Sequence, residues 1–168
     1  MEKIIPKRVL ILGSTGMLGH MLFFYLKKNL KFKIFDLSFR KKLNSKSMIC
    51  DVHNISDFKK ILKSIKPEII INSIGILPQD PNFNKINSIY INSLFPQKLK
   101  EISKEFNSKI IQISTDCVFD GKRGKYSEND TPNESKTYGI TKFLGEIKGN
   151  KHLTLRTSII GPELKKDG

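Results

Sequence analysis

Tyr138 and Lys142 stand four positions apart in "KTYGITKFLGE", residues 136–146, and on a helix that spacing makes two side chains neighbours on one face. A phenol ionises at a pKa of about 10, and a nearby ammonium favours the ionised form, drawing the group toward the range where it trades protons near neutrality. The pair is therefore a candidate general acid. The same spacing also describes a surface tyrosine beside a solvated lysine, so the rest of the chain must decide between the two. Thr115, in "QISTDCVFDG", adds a hydroxyl one loop earlier, although taken alone it reads equally well as an ordinary strand-end threonine.

The segments that must position these residues alternate between apolar runs and helix-forming stretches. "RVLILG" reads as a strand ending in glycine, with a helix over 17–28 behind it, and "FKIFDL" and "SMICDV" read as the next two strands. Ser56 or Asp57 is placed to cap a helix through about Ile65, which Pro67 stops. "EIIINSIG" is too continuously apolar for a half-exposed sheet, so both its faces should be covered. A helix is expected over 85–106, interrupted at Pro96, where a new first turn can begin. "SKIIQIST" is a further buried strand; a polar loop from Asp120 to Asn133, the helix carrying Tyr138, and "HLTLRTSII" as a sixth strand complete the chain. Strands and helices alternating through short connections predict an α/β fold, a Rossmann-type doubly wound parallel sheet of about six strands with helices on both faces. Such sheets bind ligands at the carboxyl ends of their strands.

Chemistry-bearing motifs fall at those ends. In "GSTGMLG", Gly13, Gly16 and Gly19 flank Ser14, Thr15, Met17 and Leu18 between the first strand and the first helix, the context a dinucleotide site requires. A tight turn there needs residues without a Cβ, and a pyrophosphate must approach backbone N–H groups at the positive end of the helix dipole. A merely tight strand-to-helix turn is the plainer alternative. Asp36, about twenty residues on, is placed to accept from an adenosine ribose and favours NAD. Ser38 and Arg40, followed by Lys41 and Lys42, form a basic loop that favours the 2′-phosphate of NADP, so the two signals conflict. Asp51, with Val52 beside it, is a candidate for the adenine amino group, or else a helix-capping or loop aspartate. Asn72, Ser73 and Gly75 end the fourth strand with a small, polar backbone that lets a nicotinamide lie close. Beside a nicotinamide, Thr115, Tyr138 and Lys142 suit reduction of a carbonyl.

Bulk properties narrow the class. The 168 residues amount to about one domain. A formal charge of +14 invites a nucleic-acid reading. Only four of the 30 basic residues are arginine, however, the lysines are scattered singly and in pairs, and the aromatics are mostly phenylalanines inside apolar runs. Nucleic acid is therefore not the expected ligand. Cys50 and Cys117 form neither a disulfide framework nor a metal motif, which favours a reducing cytoplasm. The uncharged stretch between Arg8 and Lys27 is broken by Gly-Ser-Thr-Gly and is too short for a membrane span.

The motifs "GSTGMLG", "NSIG", "INSLFPQKL", "STDCVFDGKRGKYSEND", "YGITKFLGE" and "LRTSIIG" together resemble the extended short-chain dehydrogenases/reductases, and within them the dTDP-4-dehydrorhamnose reductase group of nucleotide-sugar reductases. The resemblance implies that Tyr138 donates a proton to the keto oxygen of a nucleotide-linked sugar and that Thr115 hydrogen-bonds the same oxygen. Lys142 would lower the pKa of Tyr138 and bind the nicotinamide ribose, with NADPH or NADH giving the hydride. Asn92 matches a recurrent family asparagine of structural role. Cys117 stands where the family usually has an aromatic, which also admits relatives acting on UDP-linked acetamido sugars. Family members continue past "SIIG" into a smaller segment that grips the sugar nucleotide. Residues 1–168 are thus expected to form the NAD(P)-binding Rossmann domain, with the C-terminal substrate segment absent or truncated and apolar faces toward it partly exposed. A homodimer is compatible with the resemblance. The regulatory subunit of methionine adenosyltransferase resembles the same family, so a non-catalytic dinucleotide-binding or regulatory module is the alternative function.

Overall fold

A computed structural model describes residues 5–80 and 83–164. Six parallel strands form one sheet: β1 (Lys7–Leu12), β2 (Phe32–Ser38), β3 (Met48–Ile49), β4 (Ile69–Asn72), β5 (Lys109–Ser114) and β6 (Leu153–Arg156). Their spatial order is β3-β2-β1-β4-β5-β6. Strand order therefore reverses direction between β1 and β4, and the loops leaving those two strands flank the crevice where such sheets take ligands.

Side chains alternate across each strand and supply both faces. Leu10, Ile70 and Ile110 lie in register and join a large core cluster with Phe58 and Leu62 of α2 (Ile55–Ile65) and Phe95 and Leu99 of α4 (Phe95–Glu105). Phe58 and Phe95 meet edge to face, with ring centroids 5.7 Å apart. Val9, Ile11, Ile71 and Ile113 point the other way, toward Phe23 of α1 (Met17–Lys27). The register carries that second face on to Leu153 and Leu155 of β6, which remain 43 % and 42 % exposed. None of the described helices is long and apolar enough to cross a membrane.

Several local expectations are corrected. Asn54, rather than Ser56 or Asp57, caps α2: its side chain accepts from the Asp57 N–H at 3.1 Å. Its carboxamide Nδ2 also donates to the Asp57 carboxylate. The helix ends at Lys66 in the left-handed conformation, one residue before Pro67. The strands foreseen in "SMICDV" and "HLTLRTSII" shrink to two and four residues, because only Met48–Ile49 and Leu153–Arg156 find ladder partners.

The helix expected over 85–106 is continuous but composite. α3 (Lys85–Ile89) runs through a π turn (Tyr90–Leu94) into α4, with Pro96 in the first turn of α4. Proline has no N–H to give the carbonyl four residues back, which here is Asn92, and the wider π turn absorbs the mismatch.

His152 pins the start of β6 by accepting the Ile110 N–H on Nδ1 at 3.1 Å, which requires that nitrogen to be unprotonated. Burial, reinforced by Lys100, Lys151 and Lys104, holds the imidazole below its ordinary 6.5. The folded state thus prefers neutral histidine, so this contribution is complete at neutral pH and is lost as pH falls from about 6.5 through the lower folded value. Urea unfolding midpoints should drop between pH 7.5 and 5.5, and His152→Gln should show a smaller drop; equal drops would remove His152 from the pH response.

Candidate active site

Gly13 ends β1 with φ +82°, and a Cβ there would lie 3.1 Å from the Ile74 N atom in the loop after β4. Its N–H donates to Leu37 O at 2.8 Å, tying the turn to β2. A Cβ on Gly19 would stand 2.1 Å from Gly13 O, so that glycine is what lets α1 seat against the turn. Gly16 caps α1 with no side-chain cap bond, and the first turn carries no acidic residue. The first turn thus has neither a side-chain cap nor an acidic residue of its own beside Thr15, Met17 and Leu18, which suits an anionic ligand.

The residues expected along the adenosine half are placed around this loop. Asp36 lies within β2, only 3 % exposed, and accepts from Ser14 Oγ at 2.8 Å and Asn44 Nδ2 at 3.2 Å. Its first structural task is to hold Ser14 beneath the turn. Ser38 is buried and donates to Lys41 O, closing the loop after β2. Arg40 is exposed with its guanidinium 5.0 Å from the Phe39 ring centroid. Asp51 is exposed beside the buried Val52 and accepts from the His53 N–H at 2.9 Å and Nδ1 at 2.7 Å. It organises its own loop, and the cap of α2 falls to Asn54.

On the nicotinamide side, Asn72 is fully buried and donates to Gln112 Oε1 at 2.8 Å, while Ser73 Oγ donates to Leu12 O at 2.6 Å. Gly75 lies where a Cβ would be 3.6 Å from Asn92 Oδ1 and 3.8 Å from Lys142 Nζ. Asn92 is a clamp: Oδ1 accepts from the Ile76 N–H at 2.9 Å, and Nδ2 donates to Ile76 O at 3.0 Å and Thr141 Oγ1 at 3.3 Å. The structural role expected of it is the one it performs.

Thr115 follows β5 and caps the 3-10 turn Asp116–Val118, accepting the Cys117 N–H at 3.1 Å and donating to Asp116 Oδ1 at 3.2 Å. Tyr138 and Lys142 lie on α5 (Thr137–Leu144), whose Gly139 packs so close that a Cβ would stand 2.2 Å from Cys117 O. Close helix-to-turn packing brings Tyr138 to Thr115. An open pocket of about 540 Å³ begins at Tyr138 and Cys117 and runs between Phe83, Glu134 and Lys136.

The electrostatics differ from the expectation that Lys142 lowers the Tyr138 pKa. Burial raises Tyr138 above its ordinary value; interaction with the Thr115 side chain works against this, and Cys117 and Asp116 add to it. Lys142 is instead turned to the sheet, donating to Ile113 O at 2.7 Å, and its burial lowers it to about 8 despite the nearby Glu146. At neutral pH the site holds a protonated phenol and a largely protonated ammonium, the state a proton donor needs.

Spacing did not single out a group of residues that the structure joins here. Glu146, just past the Gly145 cap of α5, accepts from Arg156 Nε at 2.7 Å and Nη2 at 2.8 Å and from Ser114 Oγ at 2.9 Å. Arg156 also lies 5.2 Å over the Phe119 ring, which stacks on Tyr126 at 4.3 Å, with Arg123 on the far face of Tyr126 at 4.6 Å. The stack orders the loop that walls the pocket. An i,i+4 acid after Lys142 was the one available signal.

Strand order, switch-point glycines and a Tyr/Lys helix beside β5 define a Rossmann-type α/β protein. The chain belongs to the family described as the RmlD substrate binding domain, whose model matches residues 7–167. It is 34 % identical over 157 residues to a dTDP-4-dehydrorhamnose reductase of Aggregatibacter actinomycetemcomitans, covering 90 % of this chain and 51 % of that protein. It is 27 % identical over 165 residues to methionine adenosyltransferase 2 subunit beta of Danio rerio, covering 95 % and 50 %. A crystal structure of dTDP-4-dehydrorhamnose reductase from Bacillus anthracis in complex with NADP superposes with a TM-score of 0.75 at 28 % identity, covering 92 % of this chain and 54 % of that one. The chain thus spans about half the length of these relatives, and both family resemblances drawn from its motifs are met.

Proposed function

We propose that this chain forms the cofactor-binding part and the acid–base centre of an NAD(P)H-dependent reductase acting on a 4-keto sugar nucleotide such as dTDP-4-dehydrorhamnose. The observation that carries the reading is that Tyr138 interacts with the Thr115 side chain at the carboxyl end of β5, with Lys142 of the same helix anchored to Ile113 O of that strand and Gly75 beside its Nζ. Similarity to the Aggregatibacter reductase and to the NADP-bound Bacillus enzyme supports it.

The residues present fit a nicotinamide dinucleotide. Gly13, Gly16 and the open first turn of α1 would hold its pyrophosphate, and Gly75 leaves room beside Lys142 for the nicotinamide ribose. Ser38 and Arg40 border the adenosine end, where Asp51 and Val52 would meet the adenine. A bound reduced nicotinamide supplies the hydride. Tyr138 Oη gives its proton to the oxygen that was the ketone, Thr115 hydrogen-bonds that oxygen, and the Lys142 cation stabilises the tyrosinate left behind. Ketone and reduced cofactor thereby become alcohol and oxidised cofactor, and solvent reprotonates Tyr138. Cytoplasmic synthesis of sugar nucleotides for surface polysaccharide is the setting this chemistry suits.

Calorimetric titration with NADPH and NADH tests the cofactor half, and turnover of a 4-keto sugar nucleotide tests the rest. Arg40→Ala should weaken NADPH about tenfold and NADH little, because the exposed guanidinium is worth about 1.4 kcal/mol to a 2′-phosphate. Equal losses would take Arg40 out of cofactor selection. Similarity to methionine adenosyltransferase 2 subunit beta favours the second reading, a non-catalytic dinucleotide-binding module; cofactor binding without any turnover would select it.

A further inference from the structure

We propose that Glu146 is a positioning residue that holds Lys142 in its charged state, and that Arg156 sets how strongly it does so. The functional meaning of this rests on the reductase reading above. Lys142 lies on α5 and Glu146 just past its Gly145 cap, and both reach back to adjacent residues of β5: Lys142 Nζ to Ile113 O at 2.7 Å, Glu146 Oε1 to Ser114 Oγ at 2.9 Å. Lys142 is 6 % exposed and the Glu146 side chain 5 %, so solvent screens their interaction little.

The other groups around the pair offer no substitute for this carboxylate. On α5 the preceding turn presents Tyr138, a neutral phenol at pH 7. The 3-10 turn after β5 presents Asp116 and Cys117 to Tyr138. The π turn and the loop after β4 present only the Asn92 amide and Gly75. From β6 comes Arg156, committed to Glu146 through both Nε and Nη2. Glu146 is the charged group whose field favours the Lys142 ammonium, against a burial that disfavours it.

A role in stability alone does not account for the arrangement, since buried ion pairs are commonly matched or bettered by apolar pairs of similar size. What an apolar pair would not supply is a fixed negative charge anchored to the strand residue next to the one that holds a buried lysine. Arg156 takes up part of that charge, so the two substitutions have opposite signs.

The test titrates the Lys142 ¹³Cε resonance by NMR in the protein without substrate or cofactor. Glu146→Gln should move the midpoint from about 8 downward by about one pH unit. Arg156→Gln should move it upward, because it frees the field of Glu146. A folded Glu146→Gln protein whose Lys142 titrates unchanged would overturn the proposal, as would a downward shift in Arg156→Gln. If Glu146→Gln does not fold, Arg156→Gln decides by itself, together with Glu146→Asp, which keeps the charge and should keep the midpoint. A packing role would alter stability and leave the midpoints where they are. The reading needs no turnover, so its failure is distinct from failure of the reductase assignment: shifted midpoints in a protein that reduces no sugar nucleotide would sink only the latter.

Discussion

Tyr138→Phe should lower the reductase rate about 10²–10⁴-fold while NADPH affinity stays within a few-fold. The substitution removes one oxygen from a half-buried ring and leaves Gly139 and Lys142, which seat α5 against its neighbours, in place. Binding groups elsewhere, at the glycine turn and the loop after β4, are untouched. The magnitude is large because the phenol keeps its proton through neutrality beside the Thr115 hydroxyl: burial, with Cys117 and Asp116, raises it, whereas the neighbouring Asp116 is held below the usual carboxylate range by the Ser158 hydroxyl. Steady-state kinetics beside calorimetry separate the two quantities. A variant that kept its rate would remove Tyr138 from the chemistry. The pH profile has a matching signature: Lys142 near 8 is charged below that value and neutral above it, so the rate should fall on the alkaline side as the cation supporting the tyrosinate is lost.

Gly145→Ala should cost about 3 kcal/mol of stability or prevent folding. The Asn92 carbonyl, whose ordinary i+4 donor is removed by Pro96, faces this glycine, and a Cβ would sit 1.8 Å from its oxygen. Neither side can yield. Asn92 is held through its side chain by Ile76 and Thr141, and Gln97 Nε2 holds Leu144 O at 2.9 Å and Glu146 O at 3.1 Å on either side of Gly145. Retreat of α5 would also pull Lys142 from Ile113 O and loosen Tyr138 from Thr115, so the folded fraction of the variant should lose cofactor affinity as well. Urea denaturation reads the cost. Gly161→Ala is the control, since its added Cβ makes only ordinary contact at 3.8 Å with Met17, and its effect should stay within about 0.5 kcal/mol. Equal stability of the two variants would mean that the close approach of α5 to the π turn is not needed.

These expectations draw on different levels of the molecule. The alternation of apolar runs with helical stretches, the glycine turn after β1, and the order of Thr115, Tyr138 and Lys142 were all legible in the chain, because strand and helix periods and turn chemistry are local. The parallel sheet and its ligand-binding edge follow from them. Local rules also overreached: "SMICDV" and "HLTLRTSII" have strand composition along their length, yet a strand extends only as far as a neighbour offers hydrogen bonds.

The sequence by itself determined which functional groups this protein carries and which edge of the sheet receives them. Tertiary structure decided what each group is engaged with. Asp36, readable as a ribose acceptor, spends its oxygens on Ser14 and Asn44 because the glycine turn folds over it. Lys142, readable as the group that acidifies Tyr138, is directed to the backbone of β5, and burial rather than that cation sets the direction of the phenol's shift. Glu146 and Arg156 are ten residues apart in sequence and meet because the segment leaving α5 and strand β6 both return to β5. Spacing along one element reports neighbours on that element, whereas desolvation and counter-charges come from whatever the fold packs against it.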